Sequence, residues 1–187
     1  MEKYLEHERC VALGEIGFNN ITKNEEIAFV KQLHIATDHN LPVIIHTPHV
    51  NKTKGTTRIV EIIKAERIDQ NKVVIDHNTE ETMPISRKTN CFAGMTVYPI
   101  SKLNPQRVSG IIKKYGSERM IVNGSADWGI SNPLSLPKVV DYMQKDGHSK
   151  ETIQRIVFQN AMDFYSSSPN WKPMLDLEPL DPKEFQR

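Results

Sequence analysis

The sequence predicts an α/β protein with about five parallel β-strands, and three observations support this prediction. Five short apolar runs are separated by segments with the hydrophobic period of an amphipathic helix. The runs lack polar alternation and are rich in β-branched residues, which is typical of strands buried on both faces of a parallel sheet. The distance from one run to the next is about 30 residues, as expected for βαβ units with right-handed crossovers.

The strands and helices are expected to alternate along the chain. The five predicted strands are residues 10–14, 42–45, 72–75, 91–97 and 119–122. Thr22 and Glu25 have the spacing of a capping box, which predicts a first helix that ends near Asn40. Helical period also marks residues 57–67, a segment that begins at Pro105, residues 136–145, and residues 150–165 behind Ser149 as N-cap.

Two folds have this alternation, an open doubly wound sheet and a (βα) barrel. The sequence contains neither GxGxxG nor GxxxxGK[ST], which excludes the common nucleotide-binding versions of the open sheet. We expect residues 1–165 to form one domain. Residues 166–187 carry four prolines and little periodicity, so they are expected to form an extended tail or a segment that wraps over the domain.

Composition excludes several classes of protein. The chain has 24 Lys and Arg against 23 Asp and Glu, so it lacks the basic excess of a non-specific nucleic-acid or membrane-surface binder. Nothing in the sequence approaches 18 consecutive apolar residues, so no membrane span is expected. Cys10 and Cys91 show no disulfide-framework spacing, and the charged N-terminus does not resemble a signal peptide. We therefore predict a soluble, reduced, cytoplasmic protein.

Four polar residues stand at or just past the carboxyl ends of predicted strands: Glu15, His46, His77 and Asp127. These strand ends share one edge of a parallel sheet and converge at the rim of a barrel. Two imidazoles and a carboxylate can hold a divalent ion, and a second carboxylate can take a proton from the bound water. A strand-end acid or histidine is more often a loop residue or helix cap, but the coincidence of four favours a metal site.

The residues next to these four candidates can be given expected positions and roles in the same way. Because successive side chains of a strand point to opposite faces, we expect Asp76 to face outward and His77 to face the site. His49 and Trp128 are candidate substrate-binding residues, with loop and core roles as the alternatives. The basic residues after His49 could attract a phosphate or simply mark a solvated helix start: Lys52, Lys54 and Arg58.

Five segments together resemble a known family. They are VALGEIGFN, LPVIIHTPHVNK, VVIDHNTEET, MIVNGSADWG and QNAMDFY. Residues 11–165 are similar to the C-terminal portion of the TatD-related metal-dependent hydrolases of the amidohydrolase superfamily, and most similar to its archaeal and ebo-cluster-like subgroup. The resemblance implies a TIM-barrel fold, here a partial barrel of about five strands, and one or two divalent metal ions such as zinc, manganese, magnesium or nickel.

The resemblance also implies roles for the four strand-end residues. Glu15 would correspond to a carboxylate that bridges two metals, and His46 and His77 to histidines of the second metal site. Asp127 would correspond to the aspartate that binds the first metal and acts as general base. The His-x-His pair that the family's first strand provides is absent from this sequence.

Length adds a further expectation. A TIM barrel needs eight βα units and about 250 residues, whereas this chain of 187 residues supplies five units. Five strands leave two unpaired edges, so we expect a homo-oligomer or a partner chain to cover them. The predicted function is hydrolysis of a phosphoester or related small-molecule substrate, with nucleic acid only as a possible substrate. The alternative is a non-catalytic scaffold that acts through oligomerisation.

Overall fold

The described part of the chain, residues 2–125 and 130–172 of a computed structural model, is organised around one parallel five-stranded sheet. The strands are β1 (Leu13–Gly17), β2 (Val43–His46), β3 (Val73–Ile75), β4 (Phe92–Val97) and β5 (Met120–Gly124). They lie in chain order, and each is parallel to its neighbours. The predicted α/β fold class is confirmed. A doubly wound sheet reverses its strand order, so this sequential order is that of a (βα) barrel.

At least one helix follows each strand, and one short helix precedes the first strand. In the described residues these are α1 (Glu2–Leu5), α2 (Lys23–Asp38), α3 (Lys52–Ala65), α4 (Met83–Ser86), α5 (Pro105–Tyr115), α6 (Ser135–Lys145), α7 (Lys150–Gln154) and α8 (Asn160–Tyr165). A π-helical segment, Arg155–Gln159, joins α7 to α8. None of the helices in this part of the chain has the length and apolar character needed to cross a membrane.

The two faces of the sheet contribute to different apolar clusters. On the outer face, Val73 and Ile75 of β3 pack in a cluster with residues of α2 and α3 such as Phe29 and Ile63. Val74 lies between them in sequence but joins a separate inner cluster, as the alternation of side chains along a strand requires. Phe164 of α8 closes that inner cluster. A third cluster packs α5 and α6 against β4 and β5.

Two predicted boundaries were wrong. The first strand was expected at residues 10–14, but pairing with β2 begins only at Leu13, whose backbone N–H donates to Pro42 O over 2.9 Å. Cys10 is instead held in a turn, with its N–H on His7 O at 2.8 Å. Glu15 therefore lies inside β1 and not beyond it. The second helix was expected from residue 57, but α3 begins at Lys52, directly after the loop that carries His49.

Candidate metal centre

Glu15, His46 and His77 form a cluster at the carboxyl edge of the sheet. Each offers one nitrogen or oxygen ligand atom, and the three atoms lie within 4.8 Å of one another. Glu15 Oε1 is 3.1 Å from His77 Nε2, and Glu15 Oε2 is 3.8 Å from His46 Nδ1. The residues come from β1, from β2 and from the loop after β3, so three adjacent strands bring them together.

The orientation of His77 is fixed from behind. Its ring is buried, and Nδ1 lies 2.6 Å from Thr96 Oγ1 at the carboxyl end of β4, so that Nε2 faces Glu15. Thr96 in turn donates to Asp76 Oδ1 over 3.3 Å. An imidazole whose second nitrogen is held by a hydroxyl and a carboxylate has its ring orientation set before a metal arrives.

Asp76 does not face outward as predicted. It is buried, and its carboxylate accepts hydrogen bonds from His77 N at 2.6 Å and from Asn123 Nδ2 at 3.0 and 3.1 Å. The reason is that β3 ends at Ile75 and His77 has a left-handed φ of 59°. Side chains alternate between faces only along extended backbone, so Asp76 and His77 can both face the interior.

The protonation states of the cluster suit a cation. Burial, with the neighbouring His77 ring as a smaller cause, lowers the pKa of His46 to about 4, so this imidazole is neutral at pH 7. The hydrogen bond from His77 is the largest cause that lowers the pKa of Glu15, which keeps its carboxylate ionised. Metal ligands must be neutral imidazoles and ionised carboxylates. Glu15 and His46 are therefore already in the charge states that bind a divalent ion.

One nitrogen of His46 supports the same conclusion. His46 Nε2 is buried and has no hydrogen-bond partner among the residues that the structure describes. A buried polar atom left without a partner costs about 1–3 kcal/mol. Coordination to a metal or to its bound water would remove that cost. The residues present thus fit a divalent metal ion bound through nitrogen and oxygen ligands.

A cavity of about 340 Å³ adjoins the cluster on the His77 side. His49 lines it, and its ring centroid lies 5.8 Å from that of His46, which is compatible with the predicted substrate contact. Two further side chains reach the cavity, Lys52 from the start of α3 and Lys102 from the loop after β4. The loop of Lys102 has no periodic pattern, so nothing in the sequence identified this residue.

The remaining predicted residues do not join this site or cannot be placed. Asp127 and Trp128 lie outside the described residues. Lys54 and Arg58, which could have attracted a phosphate, line a different cavity beside Glu26 and Glu61. Arg58 Nε donates to Glu26 Oε2 over 2.9 Å, so its charge is already paired.

A parallel sheet in sequential order, with a His/His/Glu cluster at its carboxyl edge, defines a TIM-barrel-like protein with a candidate metal centre. The profile of the TatD related DNase family matches residues 1–166. The chain belongs to this family, which confirms the resemblance found in the sequence. An uncharacterized metal-dependent hydrolase of Methanocaldococcus jannaschii is 34% identical over 167 residues, covering 88% of this chain and 65% of the relative.

Solved structures agree with the fold. A TatD-like protein from Archaeoglobus fulgidus superposes with a TM-score of 0.69 at 28% identity, covering 88% of this chain and 64% of that protein. The Escherichia coli phosphotriesterase homology protein, crystallised with phosphate in its active site, has the same TM-score at 13% identity and shows likeness of fold alone. The superposition covers 83% of this chain and 59% of the Escherichia coli protein. This chain therefore spans somewhat less than two thirds of these relatives.

Proposed function

We propose that this chain carries the metal centre of a TatD-type metal-dependent hydrolase that cleaves a phosphoester or a related bond. Family membership and the metal-dependent hydrolase among its relatives support a hydrolase that uses a divalent metal. The observation that carries the proposal is the convergence of Glu15, His46 and His77 within 4.8 Å at the carboxyl edge of three adjacent strands. Active sites of TIM barrels lie at this edge.

The chain's own residues have separable roles in this proposal. Glu15, His46 and His77 would hold the metal, which lowers the pKa of a bound water to about 7. Thr96 and Asp76 hold His77 in place through the contacts described above. Asp127, as in the sequence prediction, would add a ligand and take the proton from the attacking water. His49 and Trp128 would contact the substrate.

Metal binding tests the proposal directly. The purified chain, stripped with EDTA, is titrated by calorimetry with zinc, manganese, magnesium and nickel. We expect at least one equivalent of one of these metals to bind, and His46→Ala or His77→Ala to weaken binding by more than about 100-fold, since even residues that only support ligands contribute about 10–100-fold. Hydrolysis of p-nitrophenyl phosphate and bis(p-nitrophenyl) phosphate is then measured with the preferred metal.

His34→Ala is the matched control, because His34 is exposed on α2 and pairs with Glu66, the residue that follows α3. It should leave metal affinity unchanged. Circular dichroism establishes that each variant is folded. Absence of metal binding in the folded wild-type chain would overturn the metal centre and would favour the scaffold alternative.

The expected homo-oligomer or partner chain stays a prediction, as does the cytoplasmic location. The division into a domain of residues 1–165 and a tail of residues 166–187 also stays a prediction.

A further inference from the structure

Two lysines meet in the 340 Å³ cavity beside the metal cluster. Lys52 Nζ donates to Thr47 Oγ1 over 2.9 Å and to Pro48 O over 3.3 Å. Thr47 Oγ1 is itself anchored, since it donates to Asp76 O over 2.8 Å. The ammonium of Lys52 is thus held by the loop after β2, and one of its three donors remains available to a ligand.

Lys102 lines the same cavity and comes from the loop after β4. Its Nζ lies 3.4 Å from His77 Nδ1, so its ammonium stands directly behind a ligand of the proposed metal. Within residues 2–125 and 130–172, neither Lys52 nor Lys102 forms an ion pair with a carboxylate. Two partly buried ammonium groups without a paired anion attract a negatively charged ligand.

The other charged side chains that line the cavity are Arg107, Glu80 and Glu81. Arg107 donates to both carboxylate oxygens of Glu80, over 2.9 and 2.6 Å, so these two side chains neutralise each other. Glu81 is the remaining carboxylate among the lining residues, and it acts electrostatically on Lys52. The lining side chains carry one more positive than negative charge, and the carboxylates of Asp76 and Glu15, which do not line the cavity, also act on Lys52 and Lys102 respectively. Two lysine donors and a volume at the lower end of the range for ligand pockets suit a small oxyanion group.

We propose that Lys52 and Lys102 form a phosphate-binding subsite that gives this chain a preference for substrates with a terminal, doubly charged phosphate group. The inference rests on the proposed function, because it places this group beside the metal held by Glu15, His46 and His77. A terminal phosphate carries about one more negative charge at pH 7 than a phosphodiester. Two ammonium groups therefore stabilise the monoester more than they stabilise the diester.

Phosphate binding is measured without metal, which separates this proposal from the metal centre. The chain in EDTA is titrated with inorganic phosphate and followed by ³¹P NMR and calorimetry at low salt. We expect saturable binding that weakens as salt is added. Lys52→Met and Lys102→Met should each weaken it by at least about tenfold, the size expected for one charge-assisted hydrogen bond.

Lys54→Met is the matched control, because Lys54 lies on the same helix as Lys52 but lines the separate cavity near Glu26 and Glu61. It should bind phosphate as the wild type does. Lys52→Arg, which keeps the charge, should retain more affinity than Lys52→Met and shows that the loss does not come from misfolding. No binding by the wild type, or equal losses in Lys54→Met and Lys52→Met, would overturn the subsite.

With metal added, the same variants separate the two proposals. If the subsite selects terminal phosphate, Lys102→Met should lower kcat/KM for p-nitrophenyl phosphate at least about tenfold and change that for bis(p-nitrophenyl) phosphate far less. If phosphate binds but neither ester is hydrolysed, the subsite stands and the hydrolase proposal fails. If both esters are hydrolysed and the variants lower both rates equally, the preference for terminal phosphate is wrong.

Discussion

Asp76 is the residue on which the geometry of the candidate site depends most. Its carboxylate is buried and accepts from the backbone of His77, from Thr96 and from Asn123, so it links β3, β4 and β5 below the cluster. A buried carboxylate is stable only when its oxygens are hydrogen-bonded, and here both oxygens have partners. A change that displaces Asp76 should therefore disturb both folding and the orientation of His77.

A substitution at Gly94 of β4 should displace Asp76, because Gly94 lies against its side chain. A Cβ at position 94 would lie 2.3 Å from Asp76 Oδ1 and 2.8 Å from Asp76 Cγ, closer than Cβ atoms come to other atoms in real structures. We expect Gly94→Ala to lower the free energy of unfolding by about 1–3 kcal/mol, the usual effect of overpacking, and to weaken metal binding. Urea denaturation and calorimetric titration measure the two effects.

Gly110→Ala is the control for that prediction. A Cβ at position 110 would meet no atom within 4 Å, and the residue is exposed within α5. Since alanine is the better helix former, the free energy of unfolding of the variant should rise by about 0.5–1 kcal/mol. Its metal affinity should equal that of the wild type. Equal stability of the two variants would contradict the steric argument.

Site residues could be predicted from the sequence where the backbone is regular, and not where it is irregular. Glu15, His46 and His77 could be found because parallel strands place their carboxyl ends at one edge, whatever the loops do. The inward position of Asp76 could not, because the alternation rule assumes extended backbone and His77 has a φ of 59°. Lys102 reaches the cavity from an irregular loop, where no sequence period indicates direction.

At the scale of elements, α2 begins with a capping box that the sequence predicted. Thr22 Oγ1 accepts from Glu25 N at 3.3 Å, and the Glu25 carboxylate accepts from the backbone N–H groups of Thr22, Asn19 and Asn20. These hydrogen bonds lower the pKa of Glu25 to about 2, and the bond from Thr22 N is the largest cause. Glu25 thus fastens the loop after β1 to the helix.

The lowered pKa of Glu25 gives a prediction with a definite sign. The contribution of its carboxylate to stability should be present above the ordinary pKa near 4.5 and be lost as the pH falls through about 2. Glu25→Gln should therefore cost about 0.5–2 kcal/mol at pH 7, a range set by helix caps and kept small by exposure to solvent. Urea unfolding at pH 7, 4.5 and 2 should show the difference from wild type shrinking at the lowest pH.

Glu118→Gln provides the comparison, because the exposed Glu118 side chain makes no hydrogen bond in the described part of the structure. Its stability should follow that of the wild type within about 0.5 kcal/mol at every pH. A loss in Glu25→Gln that stays constant down to pH 2 would mean that the ionised form is not what stabilises the cap.

The order of the elements was predictable, and several of their boundaries were not. Apolar runs separated by helical period identify all five strands, and β3 and β4 are buried along their whole length, as strands covered on both faces are. The connection between β3 and β4 carries only the four-residue α4. Hydrogen bonds of the Asn78 side chain hold this connection in place. Asn78 Nδ2 donates to Ile75 O and Gly94 O, and Asn78 Oδ1 accepts from the hydroxyl groups of Thr82 and Ser86. Such a side-chain network has no signature of sequence period.

For the whole molecule, the segment after α8 connects the two ends of the described chain. Trp171 stacks on Tyr165, with ring centroids 6.4 Å apart and planes at 18°. Asn170 Nδ2 donates to Cys10 O over 2.8 Å, and Lys172 Nζ lies 2.7 Å from Glu8 Oε2. Residues 166–172 thus pack across from the inner cluster at α8 to the segment before β1, and the sheet gains a link between its first and last βα units.

This link predicts a graded response to substitution. Trp171→Ala removes the half-buried ring that stacks on Tyr165, so we expect a loss of about 1–3 kcal/mol in unfolding free energy from apolar burial and ring stacking. Lys172→Ala removes only an exposed ion pair with Glu8 and should cost less than about 1 kcal/mol. Urea unfolding of both variants, combined with hydrogen exchange at the backbone of β1, measures the link. If Trp171→Ala is no less stable than Lys172→Ala and leaves exchange in β1 unchanged, the two ends of the sheet are held together by the strands alone.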